Sequence, residues 1–286
     1  VCSSDLDPNV SQNINGDVFI DTFSGGLDYA AFKDSDYKGF QVDSDVTYNG
    51  SSASMRFDVP NVGDPDAKLS FTGGAFFSTA GRNLSGYNVL TFWAKGLQAA
   101  TIEIGFGLDN KGSQDYKASC MQKISTTWKK YYLPIPDASK LKLEKGLFYV
   151  SAGALNGNGF TFWLDEVKYE KLDDVILQEA LINSGKNTKI IGPAPVTIEG
   201  LTTKFGLPNG GNIVVNTASK YFHFLSDKEE VSSVVNGVVR QLSPGTATIT
   251  ATLRDQDAVG SIEITNKGPY IHAPTPTRAA SNVISV

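Results

Sequence analysis

Read for alternation, the chain from residue 17 to residue 172 is almost continuous strand. In "TIEIGFGLD", Ile102, Ile104, Phe106 and Leu108 fall on one side, while Thr101, Glu103, Gly105, Gly107 and Asp109 fall on the other. A period of two, with one apolar row and one small, polar row, marks a strand that covers a core with a single face. Runs of the same kind are "DVFIDTF", "SASMRFDV", "KLSFTGG", "NVLTFWAKG", "YKASCMQKI", "KKYYLPI", "GLFYVSA" and "FTFWLDEVKYE". Turn clusters such as "YNGSS", "NVGDPD", "DNKGSQD" and "NGNG" separate them. About nine short strands with no helical period predict an all-β fold, a two-sheet sandwich of jelly-roll type.

The pattern breaks at residues 173–194, "DDVILQEALINSGKNTKIIGPA". This stretch reads as a linker, in which "DDVILQEALI" is either a short helix or an apolar connector. Strands resume over residues 195–267 with a shorter rhythm: "PVTIEGL", "GNIVVNT", "KYFHFLS", "VSSVVNGVVRQL", "GTATITATL" and "VGSIEITN". That size and turn spacing predict an immunoglobulin-like β-sandwich. Residues 1–16 form a polar leader. Residues 268–286 open on "HAPTPTR", a semi-rigid Pro-rich spacer, and end in "SNVISV", which reads as the first strand of a further module.

Composition narrows the functional classes. A chain of 286 residues holds about two domains. Hydrophobic residues at 41% and charged residues at 19% describe a globular chain, neither disordered nor membrane-like. The net charge of −5 and the lack of a basic tract argue against a nucleic-acid partner. No apolar run approaches the ~20 residues that span a bilayer. The two cysteines are not expected to pair: Cys120 lies in a strand-like run, as a small core residue, and Cys2 in the polar leader.

Nothing in the chain assembles an active site. Asp165 and Glu166 are neighbours on a strand, so regular alternation sends them to opposite faces, whereas glycosidases need two carboxylates that face each other across the substrate. The only histidines, His223 and His272, lie outside the first domain. Neither accompanies a plausible nucleophile, and no phosphate-binding loop or zinc-ligand cluster occurs.

Three resemblances sharpen the reading. The stretches "GGAFFSTAGRNLSGYNVLTFWAKG" (73–96), "IEIGFGLDN" (102–110), "TTWKKYYLPIPDASKLKLEKGLFYVSAG" (126–153) and "GFTFWLDEVKYEKL" (159–172) occur in order. Together they resemble a jelly-roll carbohydrate-binding module of Bacteroidetes surface glycan-binding lipoproteins and their partner glycanases. "FLSDKEEVSSVVNGVVRQLSPGTATITATL" resembles the bacterial Ig-like domain of group 2, a spacer. "VCSSDLD" resembles the start of a bacterial lipoprotein, with Cys2 as the lipidated residue and a following acidic export signal. What these imply is a monomeric lipoprotein, exposed on the outer membrane, that captures a polysaccharide for an outer-membrane transporter. A β-glucan is the first candidate, bound without bond-making. The alternatives are the ancillary N-terminal portion of a multimodular glycoside hydrolase, or a surface adhesion or scaffold protein.

Sugar binding needs rings that stack on a pyranose and polar groups that meet its hydroxyls. Phe76, Phe77 and Arg82 are candidates on the Gly-rich "GGAFFSTAGR", read as a connection. Asp109, Asn110, Gln114 and Tyr116 are candidates in "GLDNKGSQDY", and Tyr29, Phe32 and Tyr37 on the long first loop. Glu103 is placed to accept a hydroxyl on the polar face, where Gly105 and Gly107 leave room for a chain. Trp93, Trp128 and Trp163 are expected to pack the sandwich. The resemblance also implies one structural Ca²⁺ between the first and last strands, held by Asp21 and Asp165. "DSDVTYNGSSAS" would add oxygens from Asp43, Asp45, Tyr48 and Gly50. The alternative is that Asp165 takes turn amides and Asp21 is solvated.

Overall fold

The computed structural model describes residues 10–65, 70–109, 111–192 and 195–268. Cys2, Asn110 and the tail from residue 269 lie outside these, with the roles expected of them. The first domain comprises β1 (Asp17–Phe19), β2 (Asp28–Ala31), β3 (Phe40–Asp43), β4 (Ser54–Val59), β5 (Phe71–Arg82), β6 (Val89–Gly96), β7 (Ala100–Phe106), β8 (Ala118–Ile124), β9 (Lys129–Pro134), β10 (Glu144–Gly153) and β11 (Phe160–Glu170). One sheet has the order β3-β4-β11-β6-β9, with β1 added on β11, and the other begins β2-β5-β10-β7-β8. All their pairings within the domain are antiparallel. The fold is the all-β sandwich that the alternation predicts.

The core is what alternation leaves between the two sheets. Phe57, Phe92, Phe162 and Leu164 come from one sheet and Ile102, Ile104, Phe106, Phe148 and Val150 from the other, all fully buried. Each such side chain contributes about 1.5–3 kcal/mol by leaving water. Cys120 sits in this core as a free thiol, and burial pushes its pKa up to about 12, which keeps it in the protonated form.

β11 departs from strict alternation at its two acids. Its register shifts between Asp165 and Lys168, and Glu166 takes a left-handed backbone with φ 47°. This is a bulge with one extra residue. It corrects the expectation of opposite faces: Leu164 and Val167 both point to the core, and Asp165 and Glu166 both lie on the outer side. The Glu166 carboxylate pairs there with Lys168 Nζ at 3.0 Å, so it is engaged in a surface ion pair.

The second domain begins earlier than expected. Its strands are β12 (Ile176–Leu181), β13 (Asn187–Ile191), β14 (Val196–Thr197), β15 (Thr202–Gly206), β16 (Asn212–Thr217), β17 (His223–Ser226), β18 (Ser232–Val235), β19 (Val238–Gln241), β20 (Gly245–Leu253), β21 (Gln256–Asp257) and β22 (Ser261–Asn266). The segment 173–194 is therefore not a linker or a helix. It supplies β12, which pairs with β15, and β13, which runs parallel to β22. β13-β22-β20-β17 and β14-β19-β18 form two sheets around Val239, Ala247, Ile249, Leu253, Ile262 and Ile264.

The remaining strands of this domain do not close on themselves. β16 pairs with β8, so that the order β2-β5-β10-β7-β8-β16-β15-β12 is one eight-stranded sheet across both domains. The junction is reinforced beside the sheet. Tyr221 Oη donates to the Tyr116 carbonyl at 2.9 Å, Ala218 N to the Lys117 carbonyl at 2.9 Å, and Arg254 Nη2 to the Ile135 carbonyl at 2.8 Å.

Candidate functional site

The polar face of the eight-stranded sheet is built from rows that run across the strands. Register puts Ala30, Ala75, Tyr149, Gly105 and Ser119 side by side, and Gly73, Ser151, Glu103 and Met121 in the next row. Their strand neighbours Ile104, Phe148, Val150 and Cys120 fill the core, so these rows face outward. Most of the floor is glycine, alanine or serine, and two side chains dominate it. The Tyr149 ring covers Gly105, where an added Cβ would come within 2.1 Å of it, and a Cβ on Gly107 would come within 2.4 Å of the Tyr116 carbonyl. These glycines therefore make room for the protein's own groups and not, as expected, for a ligand chain. Tyr149 Oη donates to Glu103 Oε1 at 2.8 Å, and Lys117 Nζ sits 5.2 Å from the ring centroid.

This arrangement fixes a carboxylate. Tyr149 is 2% exposed and packs edge-on to Phe32, with centroids 6.1 Å apart. Burial holds its phenol well above the ordinary value, so it stays a donor and orients Glu103 at any physiological pH. Glu103 and Gln114 also line a cavity of about 400 Å³ at the β8 end of the face. A half-buried carboxylate, an ammonium, hydroxyls of Ser119 and Ser151 and an amide can exchange hydrogen bonds with a polyol. Tyr149, Lys117 and Ser119 were not singled out in the sequence. The signal for Tyr149 was its place in "GLFYVSA", opposite in phase to Phe148 and Val150.

Several expected ligand contacts are corrected. Phe76 is 1% exposed and packs with Phe23, Tyr29, Phe40 and Phe148; Phe77 is 6% exposed. The stretch read as a connection is β5 itself. Its glycines serve close packing, since a Cβ on Gly74 would lie 2.5 Å from the Tyr29 ring. Arg82 is fully buried and bonds to the N-terminal segment. Tyr29 faces the core and burial pushes its hydroxyl up to about 12. Tyr116 packs on Tyr221 across the domain junction, with centroids 5.4 Å apart. Asp109 accepts from the Lys111 and Ser113 amides at 2.9 and 2.8 Å and shapes its own loop. Tyr37, 69% exposed, stands on a 3₁₀ turn before β3.

The tryptophans lie on the outer side of the other sheet. Trp93 stacks on Tyr48 at 3.7 Å, with Trp128 at 6.0 Å from Tyr48. Trp163 donates its Nε1 to Asp43 Oδ2 at 2.8 Å under Arg56 and Lys95.

Beside Trp93 the bulge in β11 presents Asp165 to the loop that carries Tyr48. Asp165 is fully buried; Oδ2 accepts from Tyr48 N at 2.8 Å and Oδ1 from Glu166 N at 2.8 Å. Burial raises its pKa, and these hydrogen bonds oppose the rise. Ser51 Oγ lies 2.8 Å from Asp21 Oδ1, 2.9 Å from the Ala53 carbonyl and 3.3 Å from Asp165 Oδ1. A hydroxyl has one proton, so it cannot satisfy three oxygens at once. Hydrogen bonds from Ser52 and Ser51 hold the Asp21 carboxyl below its ordinary value, in the charged state. Both Asp165 oxygens and Asp21 Oδ1 thus accept from backbone amides, so Asp165 takes turn amides as the alternative has it. With the Ser51 hydroxyl and the Ala53 carbonyl they are also oxygens of the kind a hard cation such as Ca²⁺ takes. Among the described residues no three acidic, His or Cys side chains gather. Tyr48 meets Asp165 through its amide, and Asp45 donates its amide to Asp43 at 2.8 Å, so neither offers the side-chain oxygen expected of it here.

Comparison with known proteins places the first domain. No curated protein matches the chain. Among solved structures, it is similar to the family 30 carbohydrate-binding module of a cellulosomal cellulase of Clostridium thermocellum, at 16% identity, over 57% of this chain and 97% of that one, with a TM-score of 0.37. It is also similar to a family 11 module of the same organism, in complex with a β-1,3-1,4-mixed-linked tetrasaccharide (12% identity, 56% and 98% covered, TM-score 0.38). A β-1,2-glucanase from Parabacteroides distasonis aligns over 91% of this chain and 39% of its own, at 12% identity and a TM-score of 0.33. The model of the family described as carbohydrate binding domain 30 matches residues 17–171, more than half of the sequence, and the chain belongs to that family.

Proposed function

We propose that this chain binds a polysaccharide without cleaving it, on the outward face of β5, β10, β7 and β8. The observation that carries the reading is the family match over residues 17–171, together with a face whose Glu103 is oriented by Tyr149. The face works by hydrogen bonding. Glu103 accepts from ring hydroxyls, and Lys117 and Ser119 donate. β-Glucans are the first polysaccharides to test. In the fuller proposal the protein is monomeric and held at the outer membrane by a lipid on Cys2. The second domain, immunoglobulin-like in this reading, spaces the site from further modules and from a transporter complex.

Affinity electrophoresis in gels containing β-glucan, xylan or mannan tests this. The wild type should be retarded by at least one of them. Glu103→Ala should weaken that retardation about ten- to a hundredfold, as expected for a hydrogen bond to a charged group. Migration unchanged in every gel would reject the proposal.

Calcium belongs to the same proposal, at Asp21, Asp165 and Ser51. There it would neutralise the two carboxylates and tie β1, β11 and the loop between β3 and β4. Removing it with a chelator should lower the melting temperature by about 5–10 °C when compared with a hundredfold excess over Kd. Calcium should restore the loss and magnesium should not. Identical melting curves in chelator and in calcium would refute the site.

A further inference from the structure

We infer that the second domain supplies part of the sugar site, forming a subsite at the seam between β8 and β16. This rests on the polysaccharide-binding reading above and adds to it a second wall for the site.

The outward row that carries Tyr149, Gly105 and Ser119 does not stop at the edge of the first domain. Its next member is Asn216 of β16, paired with Ser119. Above this point lies the cavity of about 400 Å³. Glu103, Gln114, Lys117 and Ser119 line it from the first domain, and Glu199 and Asn216 do so from the second. That volume lies within the range of small-ligand sites and suits one or two sugar units.

The second-domain wall is fixed in place. Asn183 N donates to the Glu199 carbonyl at 2.8 Å and Ser184 N to the Gly200 carbonyl at 3.1 Å. Gly200 has φ 61°, and a Cβ there would lie 2.3 Å from Ser184 Oγ. The two walls are fastened to each other by Ala218 N on the Lys117 carbonyl and by the ion pair of Lys220 with Asp115 at 2.6 Å. A site between domains usually changes shape as they move; here continuous sheet pairing sets its width.

The lining points to a neutral, hydroxylated ligand. Carboxylates of Glu103 and Glu199 accept from vicinal hydroxyls, and amides of Gln114 and Asn216 both give and take. Leu201 and Ala218 offer an aliphatic surface to the C–H face of a ring. Two carboxylates against one ammonium disfavour an anionic sugar.

The test changes only the second domain. Glu199 and Asn216 are exposed, so Glu199→Ala and Asn216→Ala should leave the melting temperature unchanged. In a gel of whichever polysaccharide retards the wild type, each should weaken retardation about five- to tenfold and the pair more. Arg240→Ala, an exposed change on β19 outside the cavity, should migrate as wild type. If Glu103→Ala abolishes retardation while both seam variants bind as wild type does, the seam is no subsite and the first domain acts alone. If the wild type is retarded by no polysaccharide, the underlying reading falls, and this inference with it.

Discussion

Replacing Arg82 by methionine is expected to remove about 3–5 kcal/mol of stability, the scale of stranding partners of a buried charge. The guanidinium is fully buried, at the end of β5. Nη1 donates to the carbonyls of Asn15 and Asp17, and Nη2 to Ser24 Oγ at 2.7 Å and the Gly25 carbonyl at 3.4 Å. One side chain thus gathers residues 15–25 onto the sandwich, including β1, which adds to β11. Desolvation lowers its pKa, though a guanidinium stays charged throughout the stable range. Methionine fills the volume and leaves the Asn15 and Gly25 carbonyls and the Ser24 hydroxyl oxygen without this donor, while the Asp17 carbonyl keeps Ser24 Oγ at 2.6 Å. Lysine should recover only part of the loss, because a point charge cannot reach both groups of acceptors. Urea titration gives the free energy, and hydrogen exchange should show residues 15–25 opening before the rest. A loss below about 1 kcal/mol, with unchanged exchange, would mean that these bonds are replaced by water without cost.

Glu144→Gln should act in the opposite direction, with an advantage that grows as pH rises from 4.5 and is complete above about 7. Glu144 is 8% exposed and its Oε1 accepts from the amides of Lys145 and Gly146 at 3.0 and 2.8 Å. Burial pushes its pKa up to about 7, with the charges of Asp109 and Asp115 adding to the rise against those two hydrogen bonds. The folded protein therefore keeps a proton that the unfolded chain releases near 4.5. Stability is greatest below pH 4.5 as far as this group is concerned. It falls as pH rises to about 7 and is level above that, with a total of about 3 kcal/mol. Glutamine keeps the oxygen that accepts both amides and carries no charge. The variant should match wild type near pH 4.5 and exceed it by about 1–3 kcal/mol at pH 8. Denaturation midpoints across that range decide the matter; parallel curves for the two proteins would place the ionised carboxylate in water.

How far the sequence could be read depended on whether a strand kept its period. β7 did, and "TIEIGF" assigns its two faces residue by residue, Glu103 included, although the alternation expected on to Leu108 stops at Gly107, whose φ is 82°. β12 did not. Its register shifts between Leu177 and Glu179, so the buried residues Val175, Leu177, Ala180 and Ile182 fall at intervals of two, three and two, and strict alternation is lost. The bulge at Glu166 likewise hid that both acids of β11 lie on one side. Phe76 and Phe77 failed for another reason. Glycine signals a turn when the backbone needs freedom and a close approach when a neighbour needs space, and β5 uses the second. The approach of Asp21 and Asp165 to one hydroxyl was legible only through the resemblance to modules that join their first and last strands there, whereas Ser51 between them was not. The seam was invisible, since nothing local in "NTASK" tells that Asn216 will pair with Ser119.

That pairing also decides the fate of a sheet edge. In a free-standing first domain β8 would be the last strand, with a row of unpaired N–H and C=O groups beside an exposed Met121. Such an edge is a template for another chain's strand. β16 covers it at Ala118 and Ser119, and exposed Lys123 puts a charge on the open remainder. The neighbouring domain therefore covers part of the edge through which β8 could otherwise pair with a second chain.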